Sequence, residues 1–490
     1  MGSSKTQDQL HVFFFPFMAQ GHLIPAIDMA KLFASHGHTS TIITPSHYAS
    51  FLSKTLEKTR FSATQIGVLT IKIPCEEVGL PRGTESLHMA STPEAQKQFF
   101  KAAGLLGPQL DELLRRHRPD CLVADMFFPW ATDVAARYGI PRLIFEGTSC
   151  FAMCASLCMF LHQPYKNVSS DSEPFFIPDF PGDIEFTRST IPDFVKGEVE
   201  MDFTNLYEAI RQAELRSYGV LVNSFYELES AYADHYTKVL GVKAWHIGPL
   251  FLYNQASDAE EKAKRGMEAC IGEHECLKWL DSKEPNTVVY ICFGSLISLS
   301  DSQLREIAMG LEGSGKQFIW GVNKEKKREG VREEWLPQGF EERMEGKGLI
   351  IRGWAPQVAI LEHEAVGGFV THCGWNSTLE AVCAGVAMVT WPVSAEQFYN
   401  EKLVTQVLGI GVGVGVQRWT RTEGDFVRRE VVEKAVKRIM EGEEAEEMRS
   451  RARVYAELGR QAIEEGRSSY SDLNALFEDL RLLRIARDSS

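Results

Sequence analysis

The chain of 490 residues lacks any apolar run long enough to span a membrane, and its start, MGSSKTQDQL, lacks the hydrophobic segment of a secretory signal. It also lacks a basic excess, because 52 basic residues stand against 66 acidic ones and no dense basic patch occurs. We therefore expect a cytoplasmic protein that does not bind nucleic acid. Gly2 fits a myristoylation pattern, but the second signal that stable membrane anchoring needs is missing.

The ten cysteines include no CxxC pair and no Cys/His pairs at zinc spacing. This favours reduced thiols over a disulfide framework or a zinc site. Cys150, Cys154 and Cys158 recur every four residues, as small buried side chains on one face of a helix would.

What the sequence does contain is an alternation of short apolar runs with helical patterns, which is typical of parallel sheets built from strand–helix–strand units. The predicted strands are HVFFFPF, TSTIIT, CLVADMF, PRLIFEG and GVLVNSF in the first half, and TVVYICFGS, KQFIWGV, GLIIRGW, VGGFVTH and AMVTWPV in the second. We predict an α/β protein with two doubly wound, Rossmann-like domains facing each other across a cleft.

The segment NQASDAEEKAKRGMEACIGEH is charged and rich in small residues, which predicts a surface linker between the two series. We place the N-terminal domain at residues 1–245, the linker at 246–275, the C-terminal domain at 276–467, and a final helix and tail at 468–490. The run GIGVGVGV, residues 409–416, lacks the glycine spacing of a dinucleotide-binding loop, so an alternating strand is the better interpretation.

Open parallel sheets bind ligands at the carboxyl ends of their strands, and two candidate groups follow strands of the first half. His22 is predicted to lie in the loop MAQGH, and Asp125 ends the strand CLVAD. On one rim they would form a base and its orienting partner, although a lone histidine in a loop is usually structural.

The stretch HCGWNST, residues 372–378, follows a strand of the second half. Gly374 allows a sharp turn, and Asn376 and Ser377 lie where a helix starts, so their donors and the positive helix end would cradle a phosphate. The alternative is that Asn376 or Ser377 only caps the helix.

From Trp354 to Gln397 the chain reads WAPQVAILEHEAVGGFVTHCGWNSTLEAVCAGVAMVTWPVSAEQ, which resembles the signature box of plant UDP-sugar-dependent small-molecule glycosyltransferases. PFMAQGHLIPAIDMAKLFASHGH, AWHIGPL and GRSSYSDLNALFEDL resemble other parts of that family. The likeness is nearest to the branch that glucosylates flavonoids, other phenolics and triterpenoids. It implies the GT-B fold, with the donor in the C-terminal half, the acceptor in the N-terminal half, and a final helix that crosses back to the N-terminal domain.

The resemblance also implies a role for each residue of the box, with UDP-glucose as co-substrate. The implied donor-binding residues are Trp354, Ala355 and Gln357 for the uracil or ribose, Glu380 for the ribose, His372, Asn376, Ser377 and Ser295 for the phosphates, and Trp375, Glu396 and Gln397 for the sugar. Glutamine at position 397 implies glucose. No DxD pair, which often carries a divalent ion on sugar diphosphates, occurs in the sequence, so we expect no metal and no prosthetic group.

In the family, the positions of His22 and Asp125 form the catalytic dyad, which implies inverting transfer with His22 as the general base. Thr148 matches a position near the sugar, although a helix N-cap explains it equally well. A hydrophobic acceptor pocket is predicted from Phe17, Met18, Phe127, Phe128, Phe145 and Phe151, each of which could instead be core. We expect a monomer.

Several alternatives stay open at this point. The donor could be UDP-galactose or UDP-glucuronate, and the acceptor could be a sugar of an existing glycoside. A nucleotide-sugar epimerase or hydrolase could share the two-domain fold, and so could a binding protein without catalysis. The acceptor loops do not distinguish a planar phenolic from a triterpenoid.

Overall fold

The computed structural model describes residues 8–49, 52, 65–197, 201–253, 273–324, 334–421 and 424–489. Gly2 and residues 254–272 of the predicted linker lie outside these residues. The chain divides into two compact units, Met1–Cys150 with Val199–Ala256 and Ala462–Ser490, and Phe151–Glu198 with Ser257–Gln461. This grouping assigns residues 151–198 to the second unit, whereas the sequence-based boundaries at 245, 275 and 467 stay a prediction.

The strands of the described residues are β1 His11–Phe15, β2 Thr39–Pro45, β3 Ile66–Ile71, β4 Cys121–Asp125, β5 Arg142–Phe145, β6 Pro174–Phe176, β7 Glu185–Thr187, β8 Gly219–Val222, β9 Ala244–His246, β10 Val288–Cys292, β11 Gln317–Val322, β12 Gly348–Arg352, β13 Val366–Thr371, β14 Ala387–Thr390 and β15 Gly411–Gly413.

The α-helices of the described residues are Gln20–Ser35, Pro93–Gly104, Gly107–His117, Ala131–Ala136, Cys150–His162, Asp193–Lys196, Met201–Arg216, Tyr226–Asp234, Leu250–Tyr253, Glu273–Leu280, Asp301–Ser314, Phe340–Arg343, Gln357–Leu361, Trp375–Ala384, Gln397–Lys402, Arg429–Met440, Gly442–Ala462 and Ser468–Ser489. Two of them continue into π-helical turns, His235–Val239 and Leu403–Val407.

The first unit contains a seven-stranded sheet in the order β3-β2-β1-β4-β5-β8-β9, and every neighbouring pair is parallel. Strands such as β1 and β8 are mostly apolar because helices cover both faces of such a sheet. Val12, Phe13 and Phe14 of β1, for example, are wholly buried in the core of this unit. The strand order reverses between β1 and β4, which is where open sheets of this kind bind ligands.

The second unit repeats this plan with a six-stranded parallel sheet, β12-β11-β10-β13-β14-β15, together with the antiparallel pair β6 and β7. Here the order reverses between β10 and β13. The two parallel sheets confirm the predicted α/β class with two Rossmann-like domains. The strand predicted within residues 409–416 is confirmed as β15, which pairs with β14.

Each predicted strand overlaps an observed strand, but most of the predictions run too far at the carboxyl end. TVVYICFGS, for example, forms a strand only over Val288–Cys292, because the chain turns at the residues that follow. Strands β3 and β9 and the pair β6 and β7 were not predicted. The predicted helical placement of Cys150, Cys154 and Cys158 is confirmed, since all three are buried in the helix Cys150–His162 and none of them forms a disulfide.

The final helix, Ser468–Ser489, belongs to the first unit, as the family resemblance implied. Four of its apolar side chains are buried in the core of that unit: Leu473, Leu476, Phe477 and Leu480. Asp472 Oδ2 accepts a hydrogen bond of 2.7 Å from the main-chain N–H of His246.

No helix among the described residues combines the length and the apolar character needed to cross a bilayer.

Candidate functional site

His22 lies at the start of the helix Gln20–Ser35, directly after β1. The prediction that His22 belongs to a loop was wrong, because the helix begins at Gln20 and the His22 N–H already bonds to the Ala19 carbonyl at 3.0 Å. Asp125 is the last residue of β4, the strand beside β1. Both residues therefore lie at the point where the strand order of the first sheet reverses.

His22 and Asp125 are in direct contact, with 2.7 Å between His22 Nδ1 and Asp125 Oδ2. The Asp125 side chain is fully buried, whereas the imidazole keeps 22% of its surface exposed. When Nδ1–H donates to the carboxylate, Nε2 carries the lone pair and can accept a proton from a substrate. The main-chain N–H of Phe127 donates to the other oxygen of Asp125 at 3.1 Å and fixes the carboxylate further.

A buried arginine, Arg142, binds the main chain at the end of β4. This residue was not identified from the sequence. Arg142 donates to the main-chain carbonyl of Asp125 at 2.9 Å and to Thr132 Oγ1 at 2.8 Å. Burial lowers the pKa of Arg142 to about 9, although the nearby Asp125 and Glu146 carboxylates act in the opposite direction. Arg142 thus fixes the main chain that carries Asp125.

Two phenylalanine rings lie near the imidazole of His22. The Phe17 ring centre lies 5.9 Å and the Phe127 ring centre 5.6 Å from that of His22. Phe127 keeps some exposed surface. The other residues of the predicted acceptor pocket are almost entirely buried, namely Phe17, Met18, Phe128, Phe145 and Phe151. Of the six predicted residues, Phe127 is thus the one with accessible surface next to His22.

The loop after β5 carries Thr148. Glu146 in this loop pairs at 2.5 Å with Arg211, and both side chains are buried. The Thr148 hydroxyl is also buried and has no hydrogen-bond partner within the protein. It does not cap the helix Cys150–His162, so the alternative of a helix N-cap is wrong, and the hydroxyl remains available to a ligand.

In the second unit, the turn His372–Gly374 joins β13 to the helix Trp375–Ala384. Cys373 has φ of +65°, the left-handed region that non-glycine residues rarely adopt. Gly374 occupies the N-cap position and no side chain caps this helix. Asn376 and Ser377 are the second and third helical residues, so the alternative that one of them is the N-cap is also wrong.

The His372 ring lies between two glycines. A Cβ on Gly294 would lie 2.7 Å from His372 Cε1, and a Cβ on Gly374 would lie 2.4 Å from Nε2. Burial lowers the pKa of His372 to about 4, so the imidazole is neutral at pH 7. Its Nδ1 has no hydrogen-bond partner within the protein. Gly294 and the partly buried Ser295 follow β10, so this group lies at the reversal point of the second sheet.

Gln357 connects several predicted donor-binding residues. Its Nε2 donates to Ser377 Oγ at 3.0 Å and to Glu380 Oε2 at 2.7 Å. Its Oε1 accepts from the buried Tyr290 hydroxyl at 3.4 Å. Because one lone pair of Ser377 Oγ is occupied, its O–H can point elsewhere.

Trp354 lies three residues before Gln357 and is partly buried, while Ala355 between them is 9% exposed. The Trp375 indole is almost wholly buried, which the predicted contact with the sugar did not anticipate. The burial of this side chain follows from the tertiary packing around the turn, and the sequence motif does not show it.

The loop after β14 leads to Glu396 and Gln397. Gln397 Oε1 accepts hydrogen bonds from the main-chain N–H groups of Val393 and Ser394, at 2.8 and 2.9 Å. The amide is thereby oriented, and its Nε2 is the group that can donate to a ligand. Glu396 precedes the helix Gln397–Lys402 and accepts from Asn400 Nδ2 at 3.4 Å. Sequence reasoning missed Asn400, although its spacing from Glu396 places both on one helix face.

Comparison with known proteins agrees with this description. Residues 265–449 match the family model described as "UDP-glucoronosyl and UDP-glucosyl transferase". The chain is 53% identical to a scopoletin glucosyltransferase of Nicotiana tabacum, over 96% of this chain and 98% of the relative. It is 55% identical to UDP-glucose flavonoid 3-O-glucosyltransferase 7 of Fragaria ananassa, over 97% of each.

Solved structures extend the likeness to the fold. UGT73P12 of Glycyrrhiza uralensis, complexed with glycyrrhetinic acid 3-O-monoglucuronide, is 40% identical with a TM-score of 0.89, covering 98% of this chain and 97% of that one. UGT71G1 of Medicago truncatula, complexed with UDP-glucose, is 28% identical with a TM-score of 0.79, covering 98% and 100%. The predicted family is thus confirmed: the chain belongs to the plant UDP-glycosyltransferases of the GT-B fold, enzymes that transfer a hexosyl group from a UDP-sugar.

Proposed function

We propose that the protein is an inverting O-glucosyltransferase, which moves glucose from UDP-glucose to a hydroxyl group of a hydrophobic plant secondary metabolite. The observation that carries this proposal is the His22–Asp125 pair, with 2.7 Å between its nitrogen and oxygen, at the reversal point of the first sheet. Relatives named for UDP-glucose, scopoletin and a flavonoid support the donor and a phenolic acceptor.

The second unit holds the donor in this proposal. Trp354 stacks on the uracil, with Ala355 and Gln357 at its edge. Glu380, whose Oε2 accepts a hydrogen bond from Gln357 Nε2, accepts hydrogen bonds from the ribose hydroxyls. The N–H groups at the start of the helix Trp375–Ala384, together with Ser295, His372, Asn376 and Ser377, bind the two phosphates.

Neutral donors and a helix end take the place of a metal ion in this clamp. The imidazole of His372 is neutral at pH 7 because burial lowers its pKa to about 4, so it acts as a hydrogen-bond donor and not as a fixed cation. The positive end of the helix supplies favourable electrostatics for the diphosphate without a divalent ion. We therefore propose that transfer is independent of added metal.

The sugar contacts come from Glu396 and from Gln397 Nε2, and Thr148 adds its hydroxyl. Trp375 contributes through the packing of the turn, because its indole is 2% exposed. On the acceptor side, Phe127 presents apolar surface next to His22. A planar aromatic acceptor fits such a surface, because flat rings pack well against one another.

The chemistry is a single displacement. His22 Nε2 removes the proton from the acceptor hydroxyl while that oxygen attacks the anomeric carbon from the face opposite to UDP, so the configuration inverts. Asp125 stabilises the imidazolium that forms, and the phosphate clamp stabilises the charge that develops on UDP as it leaves.

The test separates catalysis from donor binding. We expect His22→Ala to lower turnover on an aliphatic alcohol by about 10² to 10⁴, the usual contribution of a general base, while UDP still binds. Glu380→Ala should weaken UDP binding itself. The measurements are single-turnover rates and calorimetry with UDP. His36→Ala is the matched control, because His36 lies at the opposite end of the same helix. Near wild-type turnover of His22→Ala on the alcohol would refute the assignment of the base.

A further inference from the structure

Asn400 is a wholly buried polar residue in the helix Gln397–Lys402. It lies four residues after Glu396, the N-cap residue of this helix, so the two side chains lie on the same side of the helix start. Burial of a carboxamide is unfavourable unless its donors and acceptors find partners. The partners of Asn400 therefore indicate what the residue does.

The NH₂ group of Asn400 contacts two different segments of the candidate donor site. Asn400 Nδ2 donates to the main-chain carbonyl of Cys373 at 2.9 Å and to Glu396 Oε1 at 3.4 Å. Cys373 belongs to the turn that carries His372, and Glu396 belongs to the loop that precedes Gln397. One amide thus connects the turn of the second unit that carries the phosphate-binding residues to the carboxylate assigned to the sugar.

The turn needs such a restraint. Cys373 adopts a φ of +65°, which a residue with a Cβ keeps only when surrounding contacts fix it. One restraint is the hydrogen bond of 3.2 Å from the Cys373 N–H to Thr371 Oγ1. The bond from Asn400 fixes the carbonyl of the same residue. Both peptide groups of Cys373 are therefore held by side chains.

The same amide orients Glu396. A carboxylate with one oxygen bound to Asn400 presents the other oxygen in a defined direction. Loss of that bond removes one restraint on the side chain, so we expect its hydrogen bonds to sugar hydroxyls to be less well formed.

We propose that Asn400 is a positioning residue that couples the phosphate-binding turn to the sugar-binding carboxylate of Glu396. This inference rests on the proposed function, because it takes the turn and Glu396 as the sites of the diphosphate and of the sugar. Asn400 touches neither group of the donor. It fixes the relative placement of the two segments that do.

The experiment is calorimetry of Asn400→Ala with UDP and, separately, with UDP-glucose in the absence of acceptor. We expect affinity for UDP to fall by about tenfold through the turn, and affinity for UDP-glucose to fall by about a further tenfold through Glu396, since each 1.4 kcal/mol is a factor of ten. The ratio of the two dissociation constants is the decisive readout. A merely structural role would lower the melting temperature but leave that ratio at the wild-type value, and this result would overturn the inference.

Thr405→Val is the matched control, because Thr405 bonds only to the Glu401 carbonyl of its own helical segment among the described contacts. Asn400→Asp keeps the volume of the side chain but replaces the donating NH₂ group by an oxygen, so it serves if the alanine variant is insoluble. We expect this variant also to weaken the binding of UDP-glucose more than the binding of UDP, so that the ratio of the two dissociation constants changes in the same direction.

A double-mutant cycle with Glu396→Ala tests the coupling directly. If Asn400 acts on the sugar through Glu396, then Asn400→Ala in the Glu396→Ala background should cost no further sugar-dependent affinity. Full additivity would contradict the inference. Failure of the proposed function gives a different result: Glu380→Ala would then leave UDP binding unchanged, whatever happens at Asn400.

Discussion

The His372 ring fills the space that a Cβ on Gly374 would need, since that atom would lie 2.4 Å from Nε2. We expect Gly374→Ala to displace the ring and to weaken UDP binding by about tenfold or more, because a clash in a packed site forces its neighbours to move. Calorimetry with UDP is the measurement. Gly104→Ala is the control, because a Cβ there meets nothing within 4 Å. Unchanged UDP affinity of Gly374→Ala would exclude a role of the ring position in phosphate binding.

The second prediction at the scale of a residue concerns Gln397 and the choice of UDP-sugar. Its Oε1 is occupied by the Val393 and Ser394 N–H groups, so its contribution to a sugar is donation from Nε2. An epimeric sugar that leaves this buried N–H unpaired should bind about tenfold to a hundredfold more weakly, the cost of about 1 to 3 kcal/mol for an unsatisfied group. We therefore expect UDP-glucose to be preferred over UDP-galactose, its C4 epimer. We expect the same preference over UDP-glucuronate, which keeps the configuration of glucose but adds a carboxylate charge that the site would have to desolvate.

The measurement is product analysis with the three UDP-sugars in equimolar competition. Gln397→Glu is the matched variant, because it keeps an oxygen for the two loop N–H groups and removes the donating nitrogen. It should lose much of the preference for glucose while the loop stays in place. A larger yield of galactoside or glucuronide from the wild-type enzyme would contradict the prediction.

At the scale of an element, the final helix packs against a buried histidine. The His38 ring centre lies 4.3 Å from that of Phe477, and its Nδ1 accepts from the Leu10 N–H at 3.3 Å. Burial lowers the pKa of His38 to about 4, and Arg481, His36 and Arg484 lower it further, while Asp120 acts in the opposite direction. His38 is therefore neutral in the folded protein at pH 7.

This pKa predicts a pH dependence with a definite sign. Between pH 6.5 and about 4 the unfolded chain binds a proton at His38 that the folded protein does not, so the free energy of unfolding falls as the pH falls through that window. We expect His38→Gln to remove a slope of up to about 1 kcal/mol per pH unit. Thermal or urea unfolding of both proteins from pH 4.5 to 7.5 measures it. Parallel pH profiles for the two proteins would show that His38 does not titrate in this way.

At the scale of the whole molecule, side chains of the final helix are buried in the same hydrophobic core as residues near the start of the chain. Phe477 packs edge-on against Phe33 with 4.9 Å between ring centres, and Arg484 donates to the Gln9 carbonyl at 2.9 Å. Removing the chain from Ser468 onward would expose Phe33 and leave the His246 N–H without Asp472. The first unit would lose part of its hydrophobic core.

We therefore expect truncation before Ser468 to give poorly soluble or inactive protein. Removal of residues 488–490 is the control, because Leu473, Leu476, Phe477 and Leu480 then remain in place. The measurements are soluble yield, melting temperature and steady-state kinetics. A soluble protein lacking the whole helix, with wild-type kinetics, would refute the prediction.

The sequence by itself determined the family, the α/β class and the identity of the candidate site residues. Short apolar runs such as VVYIC and VGGFVT, each followed by a turn signal and a helical pattern, indicate strands buried on both faces. The 44 residues from Trp354 to Gln397 are a long enough match to identify the family. His22, Asp125 and the stretch HCGWNST could be chosen as candidates because they follow or end predicted strands. The roles of the other residues of the box came from the resemblance to the family. Short strands such as β9 could not, because three residues carry too little pattern.

Only the tertiary structure showed which of these site residues are held in a fixed orientation, and which partners hold them. The contacts from Arg142 to the Asp125 carbonyl, from Gln357 to Glu380, and from Asn400 to Cys373 join residues 17, 23 and 27 positions apart. Such pairs have no local signature, because their distance in space depends on how strands and helices pack and not on sequence spacing. Packing around the turn in the same way determines the burial of Trp375 and the position of the His372 ring between two glycines. The sequence identifies this turn but does not define its geometry.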